Sequence, residues 1–231
     1  MKTGLVLSVI GASLLLAGPL GSRVGLWSFV IGFLLLALSL LLGLVGASLS
    51  LVAGFKTGQW QMGVAGIVIG LAVVSVPSAF IMSGVGKPPI HDITTDTVNP
   101  PPFVAILPLR AGAANPPEYG GSDVADQQRR AYPDIAPLVV HQSASDAFDR
   151  VTAVVRDLGW ELVANDRPSG RIEATDTTFW FGFKDDVVVR ITEDPSGQSS
   201  RIDVRSKSRV GVGDVGTNAR RVREMLSRLR S

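Results

Sequence analysis

The sequence predicts an N-terminal α-helical anchor of three transmembrane helices followed by an α+β domain, an antiparallel sheet with two helices packed on one face. Three observations lead there. Ionisable side chains are almost absent from the first third of the chain and dense afterwards. The first third holds three long apolar runs. The last hundred residues alternate between period-2 strand patterns and two helical stripes.

The charge segregation is sharp. Residues 1–86 carry only Lys2, Arg23 and Lys56, whereas all 20 acidic residues come later. Such a division fits a membrane anchor joined to a water-exposed domain, and it makes the overall pI of 9.2 a poor guide to partners. From residue 87 onward 19 basic side chains face 20 acidic ones, so nothing marks the domain for nucleic acid. Cysteine is absent, which excludes disulfides, thiolate catalysis and cysteine-ligated metals.

The apolar runs are Gly4–Leu20, Leu26–Ala53 and Met62–Ser83. Seventeen residues at about 1.5 Å each reach roughly 25 Å, just short of a hydrocarbon core of ~30 Å, and the longer two cross it. Trp27 and Trp60 fall at run ends, where indole favours the interface. The first run also has the basic start and apolar stretch of a signal peptide, but no A-x-A site follows it, so a retained helix is expected. The positive charges at the N-terminus, Lys2 and Lys56 oppose Arg23 and Lys87, which leans to an N-terminus inside and a C-terminal domain outside. No ionisable residue lies mid-span, so a transporter's ion path has no carrier.

Residues 87–131 read as a proline-rich strap or linker. Pro88–Pro89 and Pro100–Pro102 exclude helix and favour extended backbone. Between them "HDITTD" supplies His91, Asp92 and Asp96. These are the right ligand types for a metal or an acid/base site, yet one histidine without a second cluster reads better as a strap fixed by side-chain-to-backbone turns. Residues 104–131 show no period and read as loop.

The α+β domain is expected over 132–231. "APLVVH" suggests a strand. Ser143 and Asp146 form a capping box opening a helix with Ala147, Phe148, Val151, Val154, Val155 and Leu158 on one stripe, which Gly159 ends. Strand-like segments follow at 160–165, 170–176, 179–183, 186–192 and 200–206, separated in places by turns such as "DPSGQSS". Val187, Val189 and Ile191 share one face, as do Ile202 and Val204, with Arg190, Arg201, Asp203 and Arg205 opposite. One face is therefore expected to be buried and the other polar. A last helix near 215–229 carries the stripe Val215, Ala219, Val222, Leu226 and Leu229, with Arg220, Arg221, Arg223 and Arg228 outside it.

Two motifs invite a chemical reading. Gly211, Gly213 and Gly216 spell G-x-G-x-x-G between a strand and a helix. A dinucleotide fingerprint also needs a second parallel strand with an acid, which this sequence does not reach before Ser231, and no Gly-Lys-Ser/Thr follows for a P-loop. What remains is either an anion-holding turn facing Arg205, Lys207 and Arg209, or a tight connection in which Asp214 caps the helix and satisfies those cations. Asp185 and Asp186 are paired carboxylates, but neighbours on a strand point to opposite faces and do not converge on one substrate. Salt bridges to Arg190 or Arg205 are their expected use.

The segments "IHDITTD…NPPPF", "GRIEAT", "FKDDVVVRI" and "RIDVRSKSRVGVGDVGTNARR" resemble a bacterial family, domain of unknown function 1499. A stretch similar to "AGPLGSRVGLWSFVIGF" occurs between the first two spans of its membrane-anchored members. The resemblance implies a signature of Asp92, Thr95, Asp96, Glu173, Asp185, Asp186, Arg190, Arg205, Ser206, Ser208, Arg209, Gly211, Asp214, Gly216 and Asn218, and brings no established activity. The residues singled out as ligand site or fold lock are His91, Asp92, Asp96, Asp185, Asp186, Arg205, Ser208, Arg209, Asp214 and Asn218. No catalytic, metal or cofactor residue is assigned. The expected setting is multi-pass in the bacterial inner membrane with the C-terminal domain periplasmic, and the partners are the lipid bilayer and an envelope protein. The first reading is a non-catalytic binding domain. The alternative is a ligand-binding or hydrolytic domain, taking an anion or small molecule between the strap and the Arg205–Asp214 loop.

Overall fold

The computed structural model describes residues 2–58 and 60–230. The chain divides into two compact units, one of residues 1–85 with 179–182 and one of residues 86–178 with 183–231.

The first unit contains helices α1 (Lys2–Arg23), α2 (Phe29–Thr57) and α3 (Trp60–Gly84), each long and apolar enough to cross a membrane. Lipid offers Leu no advantage in leaving it, so such helices associate through small residues that let backbones approach. The buried positions are accordingly mostly small, among them Gly4, Ser8 and Gly11 of α1, Gly43, Gly46 and Ser50 of α2, and Gly63, Gly66 and Gly70 of α3. A methyl at Gly46 would stand 2.8 Å from the Gly4 carbonyl, and the Ser8 hydroxyl donates to the Gly66 carbonyl at 2.8 Å. Large apolar side chains such as Leu34, Leu41 and Val68 point outward.

In the second unit the strands are β1 (Asp92–Thr94), β2 (Leu138–Val140), β3 (Glu161–Asp166), β4 (Arg171–Thr177), β5 (Lys184–Glu193) and β6 (Ser200–Ser208), with helices α4 (Gly121–Ala131), α5 (Ala144–Asp157) and α6 (Thr217–Arg230) and a short 3-10 turn at Leu107–Arg110. All pairings are antiparallel, in the order β1-β6-β5-β4-β3, and β2 pairs with β6 beyond the end of β1. The register places Val187 opposite Ser206, Val189 opposite Val204 and Ile191 opposite Ile202. These residues, with Ile93, Ile172 and Ala174, form the face on which α5 and α6 pack, where Phe148, Val151, Val155, Val222, Met225, Leu226 and Leu229 are nearly inaccessible. Ser143 closes the α5 terminus as expected, its hydroxyl accepting the Asp146 N–H at 3.2 Å.

Four local expectations are corrected. Residues 104–131 are not all loop: α4 forms at 121–131, its weak stripe of Val124, Ala125 and Gln128 being too short and polar to stand out. Residues 179–183 are a turn rather than a strand, because Gly182 (φ 69°) reverses the chain between β4 and β5. Arg221 is buried, not on the outer side of α6. Finally, the polar face of the sheet is not left to water. The strap folds back over it, and Phe103, Ile106 and Val188 form a second small core there alongside buried charges such as Asp186 and Arg205.

The strap also supplies structure directly, since β1 is an edge strand of the sheet. Its outer edge is covered by one side chain: Gln128 of α4 accepts the Thr94 N–H at 2.9 Å and donates to the Thr94 carbonyl at 2.6 Å, reproducing a strand's pairing.

Candidate functional site

Strand alternation sorts the signature residues onto the two faces of the sheet. Asp185 points to the helix face and Asp186 to the strap face, so the adjacent carboxylates enter separate networks, as the period of 2 requires.

On the strap face Asp186 is fully buried. It receives the Arg209 guanidinium at 2.9 and 2.7 Å, the Thr175 hydroxyl at 2.8 Å and a donor from Arg110. Arg209 also donates to the Leu109 carbonyl at 2.9 Å and to the Thr175 hydroxyl. Alongside, Arg205 grips Asp92 with two parallel bonds of 2.9 and 2.8 Å, and Lys207 lies 3.0 Å from the same carboxylate. The Phe103 ring is packed against the Arg205 and Arg110 guanidinium carbons at 4.7 and 5.5 Å. Further along, Asp96 accepts the Val98 and Asn99 N–H groups and pairs with Arg190 and Arg201, both of which also reach Asp203. Glu173, wholly inaccessible, accepts the backbone N–H groups of Val104, Ala105 and Ile106 at 3.0–3.1 Å. Arg171 Nε stands 3.1 Å from Glu173, out of line for a hydrogen bond.

The helix face carries a second set. Arg221 of α6 bonds Asp176 at 2.9 and 2.7 Å and Asp185 at 2.8 Å. Asn218, one turn earlier, accepts from the Ser206 hydroxyl and from Arg221, and donates to the Ser208 hydroxyl at 2.9 Å and to the His91 carbonyl at 3.1 Å. Strap, strand β6 and helix α6 are thereby tied at one amide.

The glycine-rich turn serves the backbone. Gly211 (φ 96°) and Gly216 (φ 78°) occupy the left-handed region, and a methyl at Gly213 would come within 3.2 Å of Pro89. Asp214 accepts the Gly216 and Asn218 N–H groups at 2.8 and 2.6 Å, satisfying orphan donors at the start of α6. The expectation that Asp214 also satisfies Arg205, Lys207 and Arg209 is corrected, because those cations belong to Asp92 and Asp186 on the far face. Likewise Asp185 and Asp186 pair with Arg221, Arg110 and Arg209, not with Arg190 or Arg205. His91 donates from Nδ1 to the Val212 carbonyl at 3.1 Å. Among the described residues no group of three or more His, Asp or Glu side chains could hold a metal ion.

Burial sets the proton affinities. Desolvation raises Asp185, with Arg221 opposing it, and lowers Lys207, with Asp92 opposing it. Desolvation, reinforced by the Asp92 charge, pushes the Tyr119 hydroxyl up to about 12. That hydroxyl and Arg110 Nε are buried without a hydrogen-bond partner.

Sequence reasoning missed Arg110, Arg221 and Gln128. Arg110 sits in an aperiodic segment and offered no signal; the surplus of acidic residues over nearby cations on β5 was the only hint that distant arginines were needed. Away from these networks, a shallow cleft lies beside β2, lined by Val139, Val140, His141, Arg150, Leu229 and Arg230.

A family model described as "Protein of unknown function (DUF1499)" matches residues 92–229, which takes in β1 through nearly all of α6. No curated protein matches the chain.

Proposed function

We propose a reading whose premise is the family: the chain belongs to DUF1499, a family of proteins of unknown function, and its C-terminal domain is a membrane-anchored, non-catalytic binding module of the bacterial cell envelope. One observation carries this reading. The charged signature is spent on itself. Asp92, Asp185, Asp186, Arg205 and Arg209 bond one another or other groups across strap, sheet and α6, and the half-buried Asp96 is paired with Arg190 and Arg201 nearer the surface. A carboxylate held by two guanidiniums in a dry interior is a fold lock, and a catalytic group needs instead to meet a substrate.

Binding then falls to the surface outside the lock. The cleft beside β2 is lined by the apolar Val139, Val140 and Leu229 together with the cations Arg150 and Arg230, and it suits an acidic segment of an envelope protein. The balance of positive residues around the spans supports a C-terminal domain outside the cytoplasm.

The test uses the full chain in native membranes. A photocrosslinking residue at Val139, 60% exposed, should capture a defined protein, and capture should fail when Arg150 and Arg230 are both replaced by Glu. Untargeted mass spectrometry of envelope extract incubated with the purified chain should show no compound consumed. Turnover by the parent that is lost in Arg209→Ala would overturn the non-catalytic reading. A reporter active only outside the cytoplasm, fused after Ser231, should give signal; signal only from a cytoplasm-active reporter would reverse the orientation.

A further inference from the structure

The turn between β4 and β5 reads "TFWFGF", without a charge, at a place where a soluble domain ordinarily carries polar turn residues. The Thr178 N–H donates to the Phe183 carbonyl at 2.8 Å, and the Phe183 N–H donates to the Thr178 hydroxyl at 2.9 Å, so the turn is firmly closed. Yet Phe179 is 70% and Trp180 50% exposed, their rings edge to face at 5.1 Å. Two adjacent exposed aromatics on a rigid turn are costly in water and apt for a boundary between apolar and polar media.

The compact unit that holds the three helices also contains residues 179–182. Within that unit Phe181 stacks on Phe33 of α2 at 4.6 Å, and Arg23, the last residue of α1, donates to the Phe179 carbonyl. Arg23 and Trp27 mark the end of a span, where arginine and indole settle at headgroup level. The turn is therefore grouped with residues of an interface, and Lys184, exposed just beyond it, adds a cation suited to anionic headgroups.

We propose that the Phe179–Gly182 turn is a bilayer-interface anchor whose Phe179 and Trp180 side chains insert at the headgroup boundary of the membrane that α1–α3 span. It rests on the reading of α1–α3 as a membrane anchor.

The absence of cysteine makes the test direct. The full chain, reconstituted in nanodiscs, carries one fluorophore at a time on Phe179→Cys, Trp180→Cys, Gln198→Cys in the exposed β5–β6 turn, or Leu38→Cys in α2. With brominated lipids, labels at 179 and 180 should show blue-shifted emission and lose intensity, and the label at 198 should do neither. If 38 is quenched while both 179 and 180 behave like 198, the anchor proposal is overturned and the transmembrane reading stands. If 38 is not quenched, the transmembrane reading falls and the proposal with it.

Discussion

Replacing Asp186 by Ala removes the acceptor at the centre of the strap-face network. Four donors lose their partner at once: one from Arg110, two from Arg209 and the Thr175 hydroxyl. The Arg110 side chain is 1% exposed and that of Arg209 14%, so water cannot replace the carboxylate at Arg110. Removing one partner of a buried ion pair costs about 3–5 kcal/mol. The low end applies here, because Arg110 keeps the Asn115 and Ser208 carbonyls at 3.0 and 3.3 Å. At 1.36 kcal/mol per tenfold, ~3 kcal/mol lowers the protection of slowly exchanging amides by roughly 100-fold or more. Hydrogen exchange of β5 and β6 peptides in the full chain in nanodiscs reads that change. A loss of protection under about tenfold would refute the premise that this carboxylate is a structural hub.

Two further outcomes follow from the separation of the networks. Asp214→Ala removes a helix cap and should cost on the order of 1 kcal/mol; with Arg209→Ala it should add to within ~0.5 kcal/mol, since the two share no partner. Arg209→Ala and Asp186→Ala should instead fall short of their sum, and double-mutant cycles by hydrogen exchange would read both. For Asp96, burial acts to raise its affinity for a proton, but the Asn99 and Val98 N–H groups and the Arg201 and Arg190 guanidiniums outweigh it and hold the carboxyl below its ordinary range. The stabilisation it provides is thus complete above the unfolded value near ~3.9 and is lost as pH falls through the lower folded value. Asp96→Asn should weaken the domain at neutral pH, and the gap to the parent should close in acid below about 4; a pH-independent gap in urea melts would contradict the assignment.

Much of this fold was legible because its signals are periodic. The alternation of Val187, Val189 and Ile191 and the stripe of Phe148, Val151 and Val155 name both the elements and their buried faces. The strap face was misread because alternation reports only that Arg190, Asp203 and Arg205 share a side; it carries no information on whether 45 aperiodic residues return to cover them. The opposite directions of Asp185 and Asp186 followed from strand geometry. Their partners did not, since Arg110 and Arg221 lie 76 and 36 residues away and only the folded topology brings them close.

The central claim is that the charged signature is occupied by itself, and Arg209 tests it most directly. Hydrogen exchange of the parent and of Arg209→Ala, each with and without inorganic phosphate or sulfate, separates a lock from an anion site. The account predicts that Arg209→Ala loses protection across β5 and β6, and that neither anion protects either protein. An Arg209→Ala chain as protected as the parent, combined with anion-dependent protection of the parent alone, would contradict it.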